Sequence, residues 1–236
     1  MHPLDNVIWH ALTTRQSHFA EGSAQARKFV REVSPLGALQ KYDSDGYASL
    51  TDLLSDQGTV GLFLDEAYAP RPGWTHLAGA PLLQMICNGT GSSTCGKSDP
   101  QITELGPRDS PEMIALATLT KPGPFDTRTH EFGTYLGIRC GGQLVAMAGE
   151  RLRVPGHTEV SAVCTHPDHT GKGYAALLMI EVMKLIRERG EAPFLHVRQD
   201  NTRAIDIYRR LGFRDRWRGY FAVLRREDTA ESARQI

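Results

Sequence analysis

Residues 159–189, EVSAVCTHPDHTGKGYAALLMIEVMKLIRER, join an alternating segment, a glycine-rich turn and a long amphipathic segment without interruption. Gly171 and Gly173 lack a Cβ, so the chain can bend sharply there and bring its backbone against a ligand. A helix beginning at this turn presents first-turn amides with no intrahelical partner, together with the positive end of its dipole. That combination binds an anion, a phosphate above all. A second glycine-rich stretch, GSSTCGKS at residues 91–98, satisfies the nucleotide-binding pattern G-x-x-x-x-G-K-[ST]. Its chemistry requires a helix to start at the Gly-Lys-Ser, yet DPQITELGPRDSP follows, with Pro100, Pro107 and Pro111 breaking any long helix. The context fails, and the crowding of Gly, Ser, Thr and Asn over 88–98 reads instead as a flexible linker. His166 and His169 share a short loop without a second ligand pair, so no metal site is expected.

The elements needed to position the turn are legible in order. ITEL (102–105) reads as a strand and SPEMIALATLT (110–120) as a helix capped by Ser110, with Met113 where a full capping box would place an acid or amide. PFDTRTHEF reads as a helix or a turn-rich segment. TYLGIRCGGQLVAMAGERLRV is a hairpin turning at Gly141-Gly142. HTEVSAVCT is the strand before the glycine turn, and period-two alternation puts Glu159, Ser161, Val163 and Thr165 on one face. A helix over 172–189 buries Ala175, Leu178, Met179, Val182, Leu185 and Ile186, and turns Glu181, Lys184, Arg187 and Glu188 to water. APFLHVRQ follows as a strand. Next comes a helix capped by Asp200 or Asn201 and stopped at Gly212, then RDRWRGYFAVLRRE as a hairpin or one long bent strand.

Two motifs in this succession resemble one family. THPDHTGKGYAALL is similar to the acyl-CoA signature Gln/Arg-x-x-Gly-x-Gly/Ala of the GNAT superfamily of N-acetyltransferases, with Thr170, Gly173 and Ala175 in register and Thr170 departing from the usual Gln or Arg. Downstream, Asn201, Ala204, Tyr208, Gly212 and Phe213 match Asn-x-x-Ala-x-x-x-Tyr-x-x-x-Gly-Phe. The resemblance covers about residues 101–226 and is weak before them. It implies an α+β GNAT fold, a mixed and mostly antiparallel sheet flanked by helices. It also implies acetyl-CoA as cofactor, an amine acceptor of small-molecule or peptide type, and direct acetyl transfer in a ternary complex. The cofactor would meet Val163, Cys164, Thr165, Thr170, Gly171, Lys172, Gly173, Tyr174, Ala175, Asn201 and Ala204.

An amine must lose a proton before it attacks a thioester. Glu159 stands where the resemblance places a general base, with Glu150 in reserve and a solvated strand-end carboxylate as the plainer reading. The resemblance makes Tyr208 the phenol that would protonate the departing thiolate, with core packing as its alternative. The resemblance also puts the main-chain amides that would receive the oxyanion near Val163 and Cys164. Cys164 itself has no assignable His and acid partners and reads as a small buried residue, not a nucleophile.

Residues 1–98 resemble a degenerate, smaller α/β GNAT-like domain ending in the linker, with 99–236 as the acetyltransferase domain. The first part carries SHFAEG, ARKFV, a helical YASLTDLLSD, a strand TVGLFLDEAY and the apolar WTHLAGAPLLQMIC, and no catalytic constellation of its own. The chain has 236 residues, with Lys plus Arg and Asp plus Glu at 27 each and 40% hydrophobic residues. A balanced charge argues against a general grip on nucleic acid, and the late arginines read as a solvated face. No run is apolar enough for a membrane span, and MHPLDNVIWHALTTR lacks a signal peptide's pattern. Cys87, Cys95, Cys140 and Cys164 form no CxxC pair, as free thiols of a cytoplasmic protein would. An acyl-CoA sensor without turnover and a P-loop nucleotide hydrolase are the readings from other classes. The acceptor, the acyl length and the oligomeric state, a homodimer among the candidates, stay open.

Overall fold

The structure is a computed structural model that describes residues 2–89 and 100–227. Among these residues, five α-helices and eleven strands follow in chain order: α1 (Val7–Thr13), β1 (Ala20–Gly22), β2 (Ala26–Phe29), β3 (Gly37–Leu39), α2 (Ser44–Leu53), β4 (Thr59–Leu64), β5 (Trp74–Ile86) and β6 (Ile102–Leu105). Next come α3 (Ser110–Thr120), β7 (Tyr135–Cys140), β8 (Gln143–Val154), β9 (His157–Thr165), α4 (Tyr174–Glu188), β10 (Ala192–Arg198), α5 (Thr202–Arg210) and β11 (Arg214–Arg226).

Eight strands form one sheet in the order β4-β11-β5-β10-β9-β8-β7-β6, antiparallel at every junction except β9 with β10. The architecture is the expected α+β class, a mixed sheet flanked by helices. The division at the 88–98 linker is not what the sheet follows. β5, from the N-terminal half, lies between β10 and β11 of the C-terminal half, pairing Phe194 with Ile86 on one edge and Phe221 with Ala80 on the other. Apolar alternation identifies β5 as a strand but says nothing about which edges it satisfies. The N-terminal half also contributes a small sheet, β1-β2-β3, with α2 packed on it and a bridge from Leu36 to Gly61 of β4. The GSSTCGKS segment lies outside the described residues.

The core has two sides. On one, α4 and α5 bury Leu178, Met179, Val182, Met183, Ile186 and Ile205 against β7, β8, β9 and β10. On the other, α3 packs Met113 and Leu116 over Tyr135, Met147 and Cys164, while α1 covers Leu152, Val154 and Phe194. The stripe on α4 is the predicted one with three changes: Met183 is fully enclosed, while Ala175 and Leu185 are only partly buried. Arg187 does not simply face water, since it donates to the Gly89 carbonyl at 2.9 Å and to Cys87 Sγ at 3.1 Å. At the start of α3 the N-cap is Asp109, whose carboxylate accepts from Gly106 N–H, while Ser110 Oγ donates to the Thr127 carbonyl. The segment 124–132 is turn-rich with one 3-10 turn at Thr129–Phe132, and β11 is a single bulged strand. None of the described helices is long and apolar enough to cross a membrane.

Close packing against the sheet explains why Gly149 on β8 has no side chain: a Cβ there would run into the ring of Tyr135, which is itself buried. Gly149→Ala is expected to lower stability by about 1–3 kcal/mol through overpacking, read as a lower urea midpoint at unchanged slope.

Candidate active site

The glycine turn is built as the residue types require. After β9, a short 3-10 turn at Pro167–His169 leads through Thr170 to Gly171 and Gly173, at φ 79° and 78°, a left-handed conformation that side chains strain to adopt. A Cβ at either glycine would meet no atom within 4 Å, so open space lies above the backbone. The first i to i−4 bond of α4 runs from Leu177 N–H to the Gly173 carbonyl, leaving the amides of Tyr174, Ala175 and Ala176 ahead of it. Thr170 Oγ1 donates to the Pro167 carbonyl at 3.0 Å, so this side chain braces its own loop. Lys172 is exposed and 5.9 Å from the Tyr174 ring centroid.

β9 and β10 run parallel but pair only at His157–Ala192, Thr158–Pro193 and Glu159–Phe194. Beyond Glu159 the two strands part. On its other edge β9 carries a bulge against β8, between the pairs Met147–Cys164 and Gly149–Ser161, where Ala162 sits at φ 53°. An alanine in this conformation is strained, and such outliers gather at functional sites. The bulge also corrects the predicted face. Glu159, Ser161 and Cys164 share one side, because an extra residue reverses the alternation, while Val160 and Val163 pack toward α4. Cys164 faces α3, where burial pushes its thiol up to about 11. The backbone of Val163, Cys164 and Thr165 lies along the edge that has no partner strand in β10.

Glu159 is completely buried. Arg151 grips it with two bonds, Nε to Oε2 at 2.8 Å and Nη2 to Oε1 at 2.7 Å, and Leu152 N–H adds a third. His196 on β10 reaches Oε1 through Nδ1 at 2.6 Å. Burial alone would raise this carboxyl, but Arg151 first and then His196 outweigh it and hold it at about 2. Burial lowers His196, whose ring is therefore neutral, with Nδ1 carrying the proton toward Glu159 and Nε2 accepting from Gln84 Nε2 at 3.0 Å. Gln84 gives its other N–H to the Leu4 carbonyl and accepts from Arg216 Nη1, so its orientation is settled by three partners. Sequence reasoning missed His196, Gln84 and Arg151. For His196 and Gln84 the signal was present as single polar residues inside otherwise apolar strand runs, FLHV and LLQMI; Arg151, in ERLRV, gave none.

Glu150, the reserve base, pairs with Arg189 at 2.6 Å, at the end of α4 away from the glycine turn. Tyr208 lies on the α4 and α5 side, half-buried, its ring 6.1 Å from Phe213. Burial pushes its phenol up to about 12, and its hydroxyl has no hydrogen-bond partner among the described residues. Asn201 Oδ1 caps α5 by accepting from Ala204 N–H at 3.2 Å, and Ala204 packs against the core.

Two cavities meet at His196 and Phe63, whose rings are 4.5 Å apart. One, of about 280 Å³, lies beside Arg151 and Arg198. The other, of about 800 Å³, reaches from Gln84 to Tyr42, Arg71 and Trp217.

Comparison with known proteins gives a consistent result. The family model described as FR47-like protein matches residues 135–222. The crystal structure of a protein from Novosphingobium aromaticivorans DSM 12444, assigned to the GNAT family as an acetyltransferase, aligns at 40% identity and a TM-score of 0.88, covering 97% of this chain and all of that one. A GCN5-related N-acetyltransferase from Kribbella flavida shares the fold at 18% identity and a TM-score of 0.60, over 96% of this chain and 98% of its own. N-alpha-acetyltransferase RimI from Mycobacterium tuberculosis is 38% identical over 82 residues, 34% of this chain and 51% of that protein, so the chain spans about half the length of this curated relative.

The Glu159 carboxyl lies below the 4.5 of a free glutamate, so its stabilisation is present above that value and is lost as pH falls through about 2. Glu159→Gln, which leaves Arg151 without its anion, is expected to cost about 3–5 kcal/mol at pH 7. Urea unfolding should show the gap between the two proteins narrowing from pH 4.5 downward; a gap of constant size would mean that the carboxylate is not held ionised.

Proposed function

This chain belongs to the GNAT family of acyl-CoA N-acyltransferases, and from that premise we propose that it transfers an acetyl group from acetyl-CoA directly to the amine of an acceptor, both bound at once. The parting of β9 from β10 carries the reading. The glycine turn, α4 and Tyr208 lie on one side of the sheet and the Glu159–His196 pair on the other, and the gap is where the two sides meet.

Bound acetyl-CoA supplies an activated thioester that an uncharged amine attacks. The residues at the gap fit such a molecule. Thr170, Gly171, Lys172, Gly173, Tyr174 and Ala175 offer main-chain donors and open space for a pyrophosphate. The unpaired edge at Val163, Cys164 and Thr165 offers amides to an extended arm and to the carbonyl oxygen where negative charge develops. Asn201 and Ala204, at the first turn of α5, are assigned to the cofactor by the family motif they match. Cys164 is a neutral thiol turned toward α3, which supports direct transfer over an acyl-enzyme.

Glu159 alone is a poor proton acceptor, because Arg151 holds it far below the operating pH. We assign the proton to the Glu159–His196 pair. Glu159 fixes the imidazole with Nδ1–H toward itself and stabilises the imidazolium that forms when Nε2 accepts a proton. Gln84 occupies Nε2 and would yield it to the acceptor. Tyr208, still protonated at neutral pH, donates to the departing thiolate. A second reading, an acyl-CoA-binding module without turnover, draws on the saturation of the Glu159 oxygens by Arg151, Leu152 and His196. Thiol release from acetyl-CoA with an amine present separates the two.

Gly173→Val places a branched side chain at φ 78° and over the anion site, and calorimetric titration with CoA should show affinity largely lost. Unchanged affinity in a folded variant would remove the cofactor assignment. Tyr208→Phe keeps the ring and its packing. It is expected to melt as the parent does, to bind CoA normally and to lose on the order of a hundredfold in turnover; a full rate would pass the acid role to water.

A further inference from the structure

The cavity of about 280 Å³ is smaller than the roughly 300–1,000 Å³ of sites for drug-sized ligands. Its walls are of two kinds. Leu36, Phe63, Leu82 and Phe221 make it apolar, and its charged lining residues, Lys121, Arg151 and Arg198, are all cationic, with no acid among them. Two of these cations have carboxylate partners, Arg151 in Glu159 and Arg198 in Asp200, whereas Lys121 has no ion pair among the described residues. Arg151 spends Nε and Nη2 on Glu159, while Nη1 has no hydrogen-bond partner among the described residues. Nη1 points toward the loop Lys121-Pro122-Gly123-Pro124, standing 3.9 Å from where a Cβ on Gly123 would be. A nearly enclosed guanidinium with a free donor end in a cavity calls for an acceptor atom there.

We propose that the acyl acceptor is a small apolar α-amino acid with a free carboxylate, a reading that rests on the acyl-transfer function above. The carboxylate takes Arg151 Nη1 and Lys121, the side chain lies on Phe63, Leu82 and Phe221, and the amine is left beside His196 at the gap. The same cations penalise a simple amine or polyamine, whose only charge is positive. A peptide amine has no anion to offer at this distance from its nitrogen.

The test compares L-leucine, L-leucinamide, isopentylamine and tri-alanine as acceptors, with thiol release from acetyl-CoA as the rate. Binding of L-leucine to the CoA-loaded protein is followed separately by calorimetry. Leucine should exceed its amide and the decarboxylated amine at least tenfold in kcat/KM. In Lys121→Asn the charge is removed while the left-handed backbone of this position, φ 50°, is tolerated. There the leucine-to-isopentylamine ratio should fall at least tenfold, through a raised KM and a matching loss of calorimetric affinity for leucine. Lys121 is exposed, so melting should match the parent. Equal use of the amide or the amine, preference for tri-alanine, or an unchanged ratio in Lys121→Asn would each overturn the proposal while leaving acyl transfer standing. Failure to bind CoA at all would overturn both.

Discussion

A carboxylate taken wholly out of water must be paired on every side, and Glu159 meets that demand by drawing in a chain of polar groups that crosses the sheet. Arg151 on β8 holds it, His196 on β10 shares it, Gln84 on β5 meets His196, and Arg216 on β11 meets both Gln84 and Asp5 ahead of α1. The links follow the order of the strands. Each one settles the next: the ionised Glu159 sets the tautomer of His196, which sets the orientation of Gln84, whose oxygen is then available to Arg216. The N-terminal half is therefore bound into the site by hydrogen bonds as well as by the pairing of β5.

The same chain lies at the last register pair between β9 and β10, so the gap opens immediately beyond the place where the two strands are most firmly tied. Bulges on either side serve this arrangement. On β8 the irregularity lies between Glu150 and Arg153, which brings Arg151 and the Leu152 amide to the one carboxylate. On β9 the turn of backbone at Ala162 reverses the alternation and sends Val163 toward α4 and Cys164 toward α3. A strained alanine persists here because the neighbouring pairs on both sides hold it. The sheet thus carries the helix amides and a protonated phenol on one side, and a neutral imidazole and a cationic cavity on the other.

What the chain reveals locally is what short-range rules govern. The Gly141-Gly142 hairpin, the glycine turn, the stripe on α4 and the Asn201 cap all depend on residues within a few positions of one another, and each stands where periodicity and turn chemistry put it. α1 was not legible, since seven residues with no side-chain cap carry little helical signal apart from what they bury against β8. His196 and Gln84 were read only as members of strands.

Sequence by itself determined the elements of the C-terminal half, their order and the glycine turn ahead of α4, because hydrophobic period and glycine conformation act through neighbours along the chain. Tertiary structure alone decided that β5 enters between β10 and β11, that Glu159 is an ion-paired buried anion with His196 as its partner, and that the face of β9 reverses at Ala162. These depend on edges and charges brought together from up to 211 positions apart, as in Asp5 with Arg216, and desolvation is a property of the assembled surroundings that no local pattern contains.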